Sequence, residues 1–203
     1  MITIIIIDDH PLVLNGFEFI LHNHAEIKLL NTFTNAADAL KFLETNQVDV
    51  VLADINMPGM NGIDATFAIK TNHPKTQVIA ISNISEGSIV QRMLDAGASG
   101  FLLKNVSASE LIHAIHTVMK GDTVLSAELE PIMKQTDSAV PKISQREQEV
   151  LRLMSTGKTT PQIAEQMFIS PLTVESHRRN LLRKFKVSNS ASLIHKATEM
   201  KFI

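Results

Sequence analysis

The chain has 203 residues, enough for one large or two modest domains, and its apolar content of 44% is that of a globular protein able to build cores. It contains no cysteine, which excludes a disulfide framework and any thiolate metal site and fits a reducing compartment. The net charge of −2 is uneven: from Pro141 onward eleven Lys/Arg stand against five Asp/Glu, a net of +6, and before it eight stand against sixteen, a net of −8. An acidic front and a basic back suggest two modules with different partners.

The chain opens with MITIIIIDD. This apolar run is too short for a membrane span, lacks the basic flank of a signal peptide and ends in two carboxylates. A cytosolic, soluble protein is expected. Strands are predicted at Ile2–Ile7, Ile27–Phe33, Val48–Ala53, Gln77–Ile81 and Gly100–Leu103, mostly short Ile/Val-rich runs as in strands buried on both faces. Helical stretches lie between and after them at Leu12–His22, Ala36–Glu44, Gly62–Thr71, Gly87–Ala96 and Ala108–Lys120, the last opened by a capping box of Ser107 and Glu110. Five βα units predict an α/β fold, a five-stranded doubly wound parallel sheet.

Periodicity fades between Gly121 and Lys142, where Pro131, Thr136, Asp137, Ser138 and Pro141 read as a linker with some helical character around Ala127–Gln135. Beyond it only helices are legible. Ser144 and Glu147 form a capping box before Val150, Leu151 and Met154. Thr160-Pro161 is a cap and first-turn proline before Ile163, Ala164 and Met167. Ser170-Pro171 repeats that signal before Val174, Leu181, Leu182 and Phe185, and Ser190 opens a fourth helix through Leu193, Ile194 and Ala197. The predicted organisation is residues 1–120, a linker at 121–140, and a small all-α four-helix domain at 141–203.

Ligands of a parallel sheet bind beyond the carboxyl ends of its strands. That rule gathers Asp8 and Asp9 after the first strand, Asp54 after the third, Ser82 after the fourth and Lys104 after the fifth. Three carboxylates at one edge repel each other and call for a cation; hard oxygen ligands favour Mg²⁺. A hydroxyl and an ammonium beside them supply the positioning and charge neutralisation that phosphoryl transfer needs. A strand-end acid alone is an ordinary solvated residue; the constellation on successive strand ends is what carries the expectation.

The stretches IIIIDDHPLVLNGF, VVLADINMPGMNGIDA, IAIS and DAGASGFLLK resemble the receiver domain of two-component response regulators, a flavodoxin-like fold, over about the first 120 residues. The resemblance implies that Asp54 is the phosphoacceptor. It implies that Asp9, Asp54 and the backbone carbonyl of Asn56 are metal ligands, with Asp8 helping through water. Ser82 then stands as the switch hydroxyl, Lys104 as the phosphate-binding lysine and Phe101 as the switch aromatic. Asn105 stands where many receivers carry proline.

The segment TTPQIAEQMFISPLTVESHRRNLLRKF has the form of a helix-turn-helix, whose second helix enters the major groove. That helix carries Arg178, Arg179, Arg183 and Lys184 beside His177, with Thr173 and Ser176 near its start. Residues Ile143 to Ile203 resemble the LuxR-type DNA-binding domain of the NarL/FixJ response regulators. The resemblance implies base-facing roles for Glu175, Ser176 and Arg179, and phosphate or packing roles for Thr173, His177, Arg183 and Lys184. Two departures stand out: Thr160 where many members have asparagine, and Glu175 where lysine is frequent. Leu193, Ile194 and Ala197 read as core or as a dimer seam.

The expectation is a transcription regulator and not an enzyme, with only self-phosphorylation and self-dephosphorylation chemistry at Asp54. Its expected partners are a sensor histidine kinase, Mg²⁺ and duplex DNA at paired half-sites, bound as a homodimer. An aspartyl-phosphate hydrolase is the rival reading, but Asp54 is followed by Ile55-Asn56 and not by the Asp-x-Asp of haloacid-dehalogenase-type phosphatases. A protein-binding module that never touches DNA is a second rival. His113 and His116 share a helix face without a third ligand, a poor metal site.

Overall fold

A computed structural model describes residues 1–83, 85–136 and 140–203. The chain divides into two compact units, Met1–Asp137 and Ser138–Ile203. The linker residues Asp137 and Ser138 lie outside the described residues.

The first unit is a parallel sheet flanked by helices. In chain order it runs β1 (Ile2–Ile7), α1 (Pro11–His22), β2 (Ile27–Phe33), α2 (Ala36–Leu43), β3 (Val50–Asp54), α3 (Gly62–Asn72), β4 (Gln77–Ser82), α4 (Gly87–Asp95), β5 (Gly100–Leu103) and α5 (Ala108–Met119). The strand order is β2-β1-β3-β4-β5-β6, where β6 is Val124–Leu125. The five-strand expectation is therefore corrected to six. Val124 pairs with Gly100 and Leu125 with Phe101, inside the stretch read as linker, where two residues are too few to show a period. The helical character expected nearby takes the form of a 3-10 turn at Ala127–Leu129 followed by α6 (Glu130–Thr136). Leu129 is fully buried against the sheet, with Ile132 and Met133 beside it, so this part of the supposed linker belongs to the first unit.

Alternation along each strand divides the core. Ile4, Ile6, Val50, Leu52, Ile79, Ile81 and Leu102 face α1 and α5, meeting Leu14, Phe17, Leu21, Leu111, Ile115 and Val118. Ile5, Ile7, Val51, Ala53, Val78, Ala80 and Phe101 face α2, α3 and α4, meeting Ala39, Leu43, Ile63, Ile69, Ile89, Val90 and Met93. Burying each large aliphatic side chain contributes about 1.5–3 kcal/mol, and this double core holds the strand ends level. Asn35, Asn61 and Ser107 cap α2, α3 and α5 by accepting the backbone N–H three residues on.

Among its described residues the second unit holds four helices, α7 (Gln145–Ser155), α8 (Thr160–Met167), α9 (Pro171–Phe185) and α10 (Ser190–Glu199). Val150, Leu151, Ile163, Val174, Leu181, Phe185, Leu193 and Ala197 form their core. Leu193 and Ala197 are thus core and not a dimer seam. The Phe185 and Phe202 rings meet edge to face at 5.1 Å. One cap sits one residue earlier than expected: Thr159 and not Thr160 caps α8, its N–H donating to Gln162 Oε1 at 2.8 Å. The fourth helix, α10, begins at Ser190 as expected and is capped by Asn189. Pro161 is tolerated at either of the first two helical positions, so it does not fix the start. Among the described residues no helix is long and apolar enough to cross a membrane.

Candidate functional site

Strand register assembles the first site. Ile7 pairs with Ala53, Asp54 with Ile81 and Ser82 with Leu103. Asp8, Asp54, Ser82 and Lys104 therefore emerge at one level of the sheet, at the carboxyl ends of β1, β3, β4 and β5. The strand order turns between β1 and β3, the switch point where open α/β sheets bind ligands.

Lys104 Nζ lies 2.7 Å from Asp8 Oδ2 and 3.2 Å from Asp54 Oδ1. Both carboxylates are nearly inaccessible and the lysine is only 10% exposed, so one buried cation serves two buried anions. The backbone N–H of Lys104 donates to the Ser82 carbonyl at 2.9 Å, which fixes where the lysine leaves the sheet. Ser82 is fully buried. Asn56 is exposed in the loop two residues beyond Asp54. Phe101 is fully buried among the residues facing α2, α3 and α4. No described peptide bond is cis, that before Asn105 included.

Among the described residues, two buried oxygens are left without a hydrogen bond, Asp54 Oδ2 and Asp9 Oδ1. The His10 ring approaches Asp9 Oδ1 at 2.8 Å without an aligned hydrogen bond, and lies 3.1 Å from Asp8 Oδ1. Asp8, Asp9, His10 and Asp54 each offer a ligand atom within 4.8 Å of the others. An unsatisfied buried carboxylate oxygen is costly. Burial pushes the Asp54 carboxyl above the usual aspartate range; the Lys104 ammonium opposes the rise and the Asp8 charge adds to it. A further positive centre at the orphaned oxygens would relieve the imbalance, and an oxygen donor set of this kind fits a hard divalent cation. His10 was absent from the sequence expectation; its position directly after Asp8-Asp9 was the one available signal.

Gly62 admits the loop between Asp54 and α3. A Cβ there would lie 2.1 Å from the Asp54 carbonyl oxygen and 2.8 Å from the Ile55 Cα, and its N–H donates to the Ile55 carbonyl at 2.9 Å. Only glycine lets α3 start so close to the site.

The second site is the outer face of α9. Pro171 opens it, and Ser170 caps it by accepting from the Thr173 N–H at 3.1 Å. Thr173, Glu175, Ser176, Arg179 and Arg183 are exposed, and His177, Arg178 and Lys184 are partly covered. Arg179 has no hydrogen-bond or ion-pair partner among the described residues. The Ser176 hydroxyl donates to the Leu172 carbonyl at 2.9 Å. Lys184 Nζ instead reaches Glu147 Oε2 at 2.6 Å, which favours packing over phosphate contact. Arg178 turns inward to Thr160, Glu175 and Ser190. Phe168, left-handed at φ 53° and 95% exposed, occupies the turn between α8 and α9. Its exposure went unread in the sequence because aromatic residues default to the core.

Residues 4–116 match the family of response regulator receiver domains, and residues 141–197 match the luxR family of bacterial regulatory proteins. The chain is 31% identical to the response regulator UvrY of Escherichia coli over 97% of its own length and 94% of the relative's. It is 32% identical to the transcriptional regulatory protein MctR of Rhizobium johnstonii over 98% and 94%. A solved structure of RcsB from Salmonella enterica serovar Typhimurium, bound to a promoter in the presence of phosphomimetic BeF₃⁻, is similar with a TM-score of 0.66 at 25% identity, covering 96% of this chain and 97% of that one. The chain belongs to the response regulators that join a receiver domain to a LuxR-family helix-turn-helix domain.

Proposed function

We propose that Asp54 accepts a phosphoryl group from a sensor histidine kinase and that the resulting state of the receiver governs duplex DNA binding by α8 and α9. The observation that carries the reading is the buried Asp54 carboxylate, one oxygen held by Lys104 and the other unpartnered. An Asp54 oxygen forms the new O–P bond as the donor's N–P bond breaks. Lys104 and the Ser82 hydroxyl are the groups available to hold the transferred oxygens. Asp8, Asp9, Asp54 and the Asn56 carbonyl are the candidate holders of Mg²⁺, which supplies charge neutralisation to the transferring group when bound.

Phosphorylation replaces the single charge of the Asp54 carboxylate with the larger charge of a phosphoryl group beside Asp8, so Lys104 must redistribute between Asp8 and the phosphoryl oxygens. That shift at the ends of β4 and β5 biases the receiver between two states, with Phe101 on β5 as the aromatic that follows. In the second unit Arg179 and Arg183 are the exposed cations for guanine and phosphate, with Thr173, Ser176 and His177 alongside. Paired half-sites match a symmetric dimer, and the cytoplasm is where kinase and DNA meet. The RcsB relative, whose structure carries both a promoter and a phosphoryl mimic, supports the same pairing of events.

The test is the affinity of the full chain for promoter-length genomic duplexes, with and without beryllofluoride and Mg²⁺. Tighter binding with the mimic is expected, lost in Arg179→Ala. Equal affinity in both conditions refutes the coupling, and unchanged binding by Arg179→Ala across salt concentrations refutes the recognition helix.

A further inference from the structure

Thr160 opens α8 and Glu175 lies on α9, fifteen residues apart, and the two departures meet in the fold. The Thr160 hydroxyl donates to Glu175 Oε1 at 2.6 Å. Arg178 Nη1 donates to Thr160 Oγ1 at 2.5 Å and to Glu175 Oε1 at 3.1 Å, while Nη2 donates to Ser190 Oγ at 3.1 Å. One arginine thereby ties α8, α9 and α10 and is not free to reach a phosphate. Its product is a carboxylate with one oxygen doubly held. Oε2 of Glu175 has no partner among the described residues, and the side chain is 47% exposed.

We infer that Glu175 is a preorganised base reader whose Oε2 accepts the N4 amino group of a cytosine in the major groove. The inference rests on the DNA-binding reading above. A free glutamate on a DNA-facing surface is repelled by phosphate, but Arg178 beside it offsets that charge. The hydrogen bonds to Oε1 also fix its rotamer before DNA arrives, which lowers the ordering cost of binding. A carboxylate only accepts hydrogen bonds, and its partner on a base edge is the cytosine amino group. Glu175 stands in the first turns of α9, where a recognition helix meets base edges. Arg179 follows one turn later on the same face, about 6 Å along the axis. Thr160 and Arg178 are positioning residues in this account; Glu175 touches the base.

The experiment is selection from a random-sequence duplex library by the full chain, sequencing the bound pools for wild type, Glu175→Gln, Glu175→Ala and Thr160→Val. The wild-type pool should contain a position where cytosine is preferred by about fivefold or more, the lower range for one specific base contact. Glu175→Ala should flatten that position alone. Glu175→Gln should move it toward adenine, the base that glutamine pairs with. Thr160→Val should weaken the cytosine preference and leave neighbouring positions unchanged. If Glu175→Ala fails to fold, Glu175→Gln retains an acceptor for Thr160 and Arg178 and decides the matter. Uniform loss of affinity in the Glu175 variants, with every base preference intact, overturns the inference and leaves DNA binding standing. A wild-type pool with no enriched sequence overturns the DNA-binding reading and this inference together.

Discussion

Replacing Lys184 by methionine separates the two roles its charge allows. Its ammonium lies 2.6 Å from Glu147 Oε2, with the glutamate side chain 5% exposed and the lysine 31%. Glu147 also closes the α7 capping box by accepting the Ser144 N–H at 2.7 Å, so the pair ties the start of α7 to the end of α9. Breaking one partner of a fully buried pair costs about 3–5 kcal/mol, and a hydrogen bond to a charged group contributes about 1.5–3 kcal/mol. Solvent reaches a third of this lysine, which discounts the first figure, and about 2 kcal/mol is expected for Lys184→Met. Methionine keeps the stem's packing, so the loss reports the charge. In a domain of this size that lowers the melting temperature by about 10 °C. The assay is thermal or urea unfolding of the full chain, with amide exchange in α7 and α9 as the local readout. In a double-mutant cycle, Glu147→Gln should cost less in the Lys184→Met background than in the wild type. The salt dependence of DNA binding should be unchanged in Lys184→Met, whereas Arg183→Ala should reduce its log–log slope by about 0.9. Wild-type unfolding together with a reduced salt slope in Lys184→Met would rule out the structural tie to Glu147 and assign the lysine to phosphate.

The same pair sets a pH dependence. Burial alone would raise the Glu147 carboxyl, but the hydrogen bonds from Lys184 and Ser144 outweigh it and hold the group below the usual glutamate range. Its contribution to stability is therefore complete above the ordinary value of 4.5 and declines as the pH falls through the lower folded value. Acid titration of the second unit's unfolding should show that decline in the wild type and not in Glu147→Gln; identical profiles would refute it. Gly62→Ala forces a Cβ to within 2.1 Å of the Asp54 carbonyl oxygen, so the loop must move. A loss of about 2 kcal/mol is expected on the scale of overpacked sites, with slowed phosphoryl uptake; denaturation within about 0.5 kcal/mol of wild type would show that the approach is not tight. Phe168→Gly relieves a bulky left-handed residue whose ring packs on almost nothing. The αL penalty less the entropy of glycine leaves a gain of about 0.5–1 kcal/mol, read by unfolding of the second unit, and a loss would mean that the Phe168 ring is packed.

Most of the first unit is legible in the sequence because parallel strands buried on both faces read as unbroken Ile and Val runs, as in Ile4–Ile7. Its acidic site is legible for the same reason: once strand ends are known, Asp8, Asp54, Ser82 and Lys104 follow from topology. Val124–Leu125 escaped because a two-residue strand has no period; its place depends on Gly100, where a Cβ would lie 2.6 Å from Val124 Cγ1. The cap at Thr159 was missed because Thr159 and Thr160 are chemically alike and the proline tolerates both registers. Charged residues were the least legible. Lys184 meets a glutamate thirty-seven positions earlier and Arg178 a threonine eighteen earlier, and no local pattern tells such an inward charge from the outward Arg179.

Locating the phosphoryl group decides whether Asp54 is the acceptor. The purified chain is incubated with a small-molecule phosphodonor and Mg²⁺, and its peptides are weighed by mass spectrometry with a chelated control. One phosphoryl group is expected on the peptide carrying Asp54, absent from Asp54→Asn and from the chelated sample. A phosphoryl group on any other peptide, or undiminished uptake by Asp54→Asn, would contradict it.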